Sequence, residues 1–93
     1  MRQGTLEVLK VLLDADPQEL RNSEIRDKAW ALAEGSLKIE LDSWKVKVCY
    51  ILGDLKNKNI VKRKVHGFRD VRYSFKGEKG RRRAQQIVNL DPH

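Results

Sequence analysis

The sequence predicts an α+β domain with a three-helix core, an antiparallel sheet of two or three strands built on a hairpin, and a C-terminal helical tail. Three observations carry that prediction. Apolar residues recur at helical spacing in three separate stretches of residues 5–57, residues 60–75 switch to strand-like alternation, and positive charge is concentrated on and just after that second region. Ninety-three residues suit one domain with one modest core. The expected core spans about residues 5–76, followed by the tail 77–93.

The elements follow in order. Thr5 is a candidate cap for a first helix, in which Leu6, Val8, Leu9, Leu12 and Leu13 form an apolar stripe. Asp14-Ala15-Asp16-Pro17 ends it, because Pro17 disfavours helical geometry at the residue before it. Ser23 is expected to cap a second helix, with Glu24 and Asp27 in its first turn, Ile25, Ala29 and Leu32 facing inward, and Gly35 just past its end. Trp30 falls roughly on the opposite side and either covers a neighbouring element or a partner or, the favoured reading, packs on the N-terminal segment or the C-terminal tail. Leu37, Ile39 and Leu41 alternate with Lys38 and Glu40, so residues 36–41 read as a short strand or an extended connection.

Asp42 or Ser43 is then the expected cap of a third helix. Trp44, Val48, Ile51, Leu52 and Leu55 make its buried stripe. Its far side carries Lys45, Val46, Cys49, Tyr50, Gly53 and Asn57, with Lys47 at the margin and Asp54 as the one acid. A helix made only for solvent usually holds more glutamate and more i, i+4 ion pairs. Asn59 suits the left-handed residue of a sharp helix end. Ile60 and Val61 lead into a strand through Val65, His66 to Asp70 make the turn, and Val71, Tyr73 and Phe75 share one face of the returning strand. From Glu78 to about Val88 the tail can be helical, with Ala84 and Ile87 on one side and Gly80 weakening the helix.

Charge narrows the partner. The net charge is +7, yet residues 1–59 sum to zero and residues 60–83 alone carry +8. Segregation of this kind points to a polyanion. No apolar run approaches the roughly 20 residues that span a bilayer, and the N-terminus shows no signal-peptide pattern. One cysteine fits a reducing interior, so a cytoplasmic or nucleoid-associated location is expected, without a membrane partner. His66, His93 and Cys49 have no zinc-site spacing, and neither a nucleophile triad nor a glycine-rich phosphate loop is present. No enzyme activity, metal, cofactor or small-molecule effector is expected. Cys49 reads either as a small residue between core and surface or as a redox-sensitive thiol beside Lys45.

The run from Val46 through Cys49, Tyr50, Leu52 and Leu55 to Lys56-Asn57-Lys58-Asn59-Ile60-Val61 resembles the recognition-helix signature of winged helix-turn-helix regulators. Tyr73-Ser74-Phe75-Lys76-Gly77-Glu78-Lys79-Gly80 is similar to the close of their wing, and Ser23-Glu24-Ile25 to the start of their second helix. The resemblance covers roughly residues 5–80 and is to the pattern of the MarR and PadR families of transcription regulators. Asn59 stands where that pattern has glycine, and Lys76 where it has threonine. The connection 34–43 is longer than a tight helix-turn-helix turn.

The resemblance implies a DNA-binding transcription regulator, and the physics of groove recognition assigns the same residues. An α-helix fits the major groove, and its N-terminal side chains reach base edges. Ser43, Lys45, Val46, Lys47 and Tyr50 are therefore expected at the groove, Lys45 or Lys47 on guanine acceptors or, the favoured reading for both, on phosphate, and Val46 against a thymine methyl. Lys62, Arg63, Lys64, His66, Arg69 and Arg72 lie on the basic wing, which can follow the backbone or enter the minor groove. Arg81, Arg82 and Arg83 either extend the phosphate track or form a solvated face. Double-stranded DNA is the expected partner, with a homodimer through the C-terminal segment as family analogy suggests. Two other readings remain open, a protein-interaction module of a larger nucleic-acid-processing assembly and an RNA-binding winged helix.

Overall fold

In the computed structural model, which describes residues 4–35, 37 and 39–90, the chain runs α1 (Thr5–Ala15), β1 (Leu20–Arg21), α2 (Asn22–Ala33), α3 (Leu41–Asn57), β2 (Val61–Gly67), β3 (Asp70–Phe75) and α4 (Gly77–Leu90). Among the described residues these are four helices and one three-stranded antiparallel sheet in the order β1-β3-β2. No helix among them is long and apolar enough to cross a membrane.

The third strand lies elsewhere than the alternation suggested. It is the two-residue β1, between α1 and α2, pairing Leu20 with Tyr73 and Arg21 with Arg72. Residues 36–41 supply no described strand; Ser36 and Lys38 lie outside the described residues. Leu37 is buried, Ile39 packs against the core and Leu41 already belongs to α3. Among the described residues of this connection, Leu37 and Ile39 press onto the core and none pairs as a strand.

Helix starts also differ from the expected caps. Gly4 precedes α1 with φ 91°, and a Cβ on it would collide with the Trp44 ring, so Thr5 is the first helical residue and is buried. The second helix begins at Asn22, before Ser23, because the Arg21 backbone N–H donates to Glu24 Oε1 at 3.2 Å. Glu40, rather than Asp42 or Ser43, precedes α3, its carbonyl accepting from the Trp44 N–H at 2.9 Å.

The core stripe of α3 holds as expected, with Trp44, Val48, Ile51, Leu52 and Leu55 all buried. In α1 Val8, Leu9 and Leu12 are buried as expected, but Leu6 and Leu13 are only partly so and Val11 takes a buried place that the stripe did not include. In α2 the third inward residue is Ala33, while Leu32 is 49% exposed and borders an open groove with Lys10, Val11, Asp14, Lys28 and Ala31. Both residues fit a 3.6-residue period, and the smaller one allows closer packing. Trp30 meets Trp44, with ring centroids 6.3 Å apart, and the Trp44 Nε1–H donates to the Arg26 carbonyl at 3.0 Å.

Two junctions set the hairpin on the core. At the end of α3, Asn59 takes φ 60° while Ile60 N–H returns to the Leu55 carbonyl and Asn59 N–H to that of Lys56, both at 3.0 Å. Leu55 and Ile60 are buried together beside this Schellman turn. At the start of α4, Gly80 lies against the Ile60 carbonyl so closely that a Cβ would overlap it. That contact explains why a weak helix former sits inside a helix. Ala84 is buried, and Ile87 and Val88 pack against the core.

Candidate nucleic-acid interface

Because α3 spends Trp44, Val48, Ile51, Leu52 and Leu55 on the core, the intervening positions must face outward. Ser43, Lys45, Val46, Cys49 and Tyr50 are exposed and Lys47 is partly so; Val46 is 56% and Tyr50 64% exposed. Asp42 lies 3.9 Å from Lys45, and Asp54 is paired with Lys58 at 3.1 Å. Both pairs are solvent-accessible and contribute little to stability, but the second compensates the acid of this face. The thiol of Cys49 is exposed and accepts from Asn22 Nδ2 at 3.5 Å, more open than a residue wedged between core and surface.

The hairpin is built mostly outside the core. Val61 is the one buried residue of β2, and everything from Lys62 to Gly67 is exposed. Register sorts the side chains, since directly opposed residues share a face. Leu20, Tyr73, Phe75 and Val61 line the core face, which Arg63, Val65 and Val71 continue outward. Arg21, Arg72 and Lys64 form a row across all three strands on the other face, with Lys62 and Ser74 beside it.

Three cations in a row repel one another, and Asp70 offsets this. Its Oδ1 accepts from Arg21 Nε and Arg72 Nε, and its Oδ2 from Arg72 Nη2, each at 3.2 Å. The hydrogen bonds from Arg72 are the main reason that the Asp70 carboxyl titrates below its ordinary value, with burial opposing and the Arg21 charge adding to the effect. The same pair raises Arg72. His66 Nε2 lies 2.6 Å from Glu19 Oε1, tying the outer wing to the chain just before β1.

Not every expected phosphate contact is therefore equally available. Arg72 is engaged by Asp70, His66 by Glu19, and Arg82 by Glu78 at 2.8 Å. Arg81 stands between Asp16 and Glu78, at 3.9 and 3.8 Å. Among the described residues Lys62, Arg63, Lys64, Arg69 and Arg83 form no salt bridge. Arg83 lies apart from the wing in sequence and lines a depression with Lys58, Ile60 and Ile87. The cations of β2 have a second effect, because β2 is an edge strand and lysines there discourage edge-to-edge pairing.

The junction of β1 and α2 joins the two surfaces. Arg21 reaches Asp70 on the wing, and its neighbour Asn22 reaches Cys49 on α3. Neither residue stood out in the sequence, because both contacts cross long stretches of chain. No group of three or more His, Cys, Asp or Glu among the described residues could hold a metal ion.

Comparison with known proteins adds no relative: no family model, curated protein or solved structure matches the chain.

Proposed function

We propose that this chain is a winged-helix domain that binds double-stranded DNA as a small transcription regulator, with α3 in the major groove and the β2–β3 hairpin on the backbone or in the adjacent minor groove. The element order and the β1-β3-β2 sheet are compatible with that fold. One observation carries the functional reading. The uncovered outer face of α3, with Lys45, Val46, Lys47 and Tyr50, is linked through Asn22 and Arg21 to a protruding hairpin whose Lys62, Arg63, Lys64 and Arg69 have no acidic partner among the described residues. Unpaired cations displace condensed counterions from a duplex without first breaking a salt bridge.

Fluorescence anisotropy with a random-sequence duplex at several salt concentrations tests the proposal. Four to six phosphate contacts give a log–log slope of about −4 to −5, at roughly −0.9 per contact. Absence of binding at low salt refutes it. Tighter binding to an RNA duplex of the same sequence would assign the interface to RNA.

A further inference from the structure

Phe68 is the feature of the wing that phosphate binding leaves unexplained. It is 90% exposed, more than any other large hydrophobic residue among those described. It occupies the hairpin tip with Arg69, between paired Gly67 and Asp70. The tip takes its positive φ, 61°, at Arg69 and not at Phe68, so the backbone geometry of the turn sets no demand for phenylalanine at 68. The Arg69 guanidinium carbon lies 5.1 Å from the Phe68 ring centroid. Apolar surface continues down one side of the wing through Val65, 62% exposed, and Val71, paired opposite it. Measured from the Arg63–Tyr73 pair, where Tyr73 still packs on the core, the tip projects by roughly 16 Å at strand rise.

We propose that Phe68 is a DNA-contacting wedge that the wing inserts through the minor groove against a base step, partly unstacking it. The inference rests on the DNA reading above and deepens it. The minor groove of B-DNA is about 6 Å wide and 7.5 Å deep, so a two-residue tip enters where a whole hairpin cannot. Apolar side chains inserted between bases unstack and kink a duplex, and the ring then leaves water for a stacking partner. Arg69 brings its charge to the same place, while Lys62, Arg63 and Lys64 are available for the flanking phosphates. The contacts of Asp70 with Arg21 and Arg72, and of His66 with Glu19, brace the hairpin against bending away. Pyrimidine–purine steps deform most readily, so the wedge favours them.

The test uses duplexes carrying 2-aminopurine at a central TA step, whose fluorescence rises when the base unstacks. Wild-type chain at saturation is expected to raise the signal several-fold. Phe68→Ala is expected to abolish the rise and weaken binding about tenfold, as loss of a base–aromatic contact does. Phe68→Leu, still an apolar wedge, is expected to keep much of the signal. If the wild type binds with steep salt dependence and Phe68→Ala matches it in affinity and fluorescence, the wedge is wrong and the DNA reading stands. If the wild type binds no duplex at low salt, both fall. If Phe68→Ala leaves DNA binding intact but loses binding to phosphatidylserine vesicles, the tip is a membrane anchor and the wedge is overturned.

Discussion

Lys76 Nζ donates a hydrogen bond to Asn59 Oδ1 at 2.9 Å. These are the two single residues that differ from the regulator pattern the sequence resembles, and the hydrogen bond joins them across the mouth of the hairpin. Asn59 occupies the left-handed end of α3, and Lys76 closes β3 with its own N–H on the Ile60 carbonyl at 2.9 Å. The departures compensate one another, since the hydrogen bond offsets part of the strain that glycine would avoid.

A double-mutant cycle with Asn59→Gly and Lys76→Thr measures that coupling. Lys76→Thr is expected to cost under about 1 kcal/mol and Asn59→Gly to be near neutral or slightly stabilising, with an interaction energy of about 0.5–1 kcal/mol for an exposed bond. Strict additivity in urea unfolding would mean that the two positions are independent.

Gly80 and Gly53 lie inside helices and are expected to respond oppositely to alanine. At Gly53 a Cβ meets nothing within 4 Å, so the ordinary helix preference applies and Gly53→Ala stabilises by about 0.5–1 kcal/mol. At Gly80 the methyl overlaps the Ile60 carbonyl, and Gly80→Ala destabilises by about 1–3 kcal/mol. Thermal denaturation of both variants decides it, and a shift of the same sign in each would contradict the packing at Ile60.

Salt dependence separates the free from the engaged arginines. Arg69→Ala is expected to flatten the log–log slope by about one unit, the effect of one lost phosphate contact. Arg72→Ala changes it less, because Asp70 already holds that guanidinium. Asp70→Asn releases Arg21 and Arg72 together, and is expected to tighten binding and steepen the slope. Weaker binding by Asp70→Asn would show that bracing of the wing outweighs its charge.

Base reading by α3 is tested with Lys45→Ala and Tyr50→Ala against a selected and a scrambled duplex. A lost base contact costs about 1–3 kcal/mol on the selected site only. Losses of equal size on both duplexes would confine α3 to phosphate contact.

The Asp70 cluster also predicts a pH response. In the folded chain its carboxyl titrates below the ordinary value of 3.8 that holds when unfolded, so the stabilisation is fully present above 3.8. It is lost as pH falls through the lowered folded value. Carbon-13 titration of the Asp70 carboxyl should show that midpoint rising toward 3.8 in Arg72→Ala, and an unchanged midpoint would exclude Arg72 as its principal cause.

The long helices and the hairpin were legible in the sequence because their periods repeat often enough to define a face. Trp44 through Leu55 shows this for α3, and Val71, Tyr73 and Phe75 for β3. A two-residue strand has no period, so β1 was invisible, whereas Leu37, Ile39 and Leu41 alternate without forming one. Helix starts moved because Gly4 answers to the Trp44 ring and Arg21 to Glu24. The outer face of α3 and the basic hairpin were readable from charge and spacing. Arg72 and Asp70, two residues apart on one strand face, are a local pair, but the contacts of Asp70 with Arg21 across 49 positions and of His66 with Glu19 across 47 were not readable. Such contacts depend on sheet register, which no local window contains.

Because Val61 is the one buried residue of β2, the strand beyond it carries little of the packing that holds the scaffold together. Substitutions in the segment 62–69 alter what the hairpin meets at little cost to the scaffold, apart from the His66 tie to Glu19. The segment 62–69 thus behaves as an exchangeable cassette, whose sequence can drift while the scaffold keeps its fold.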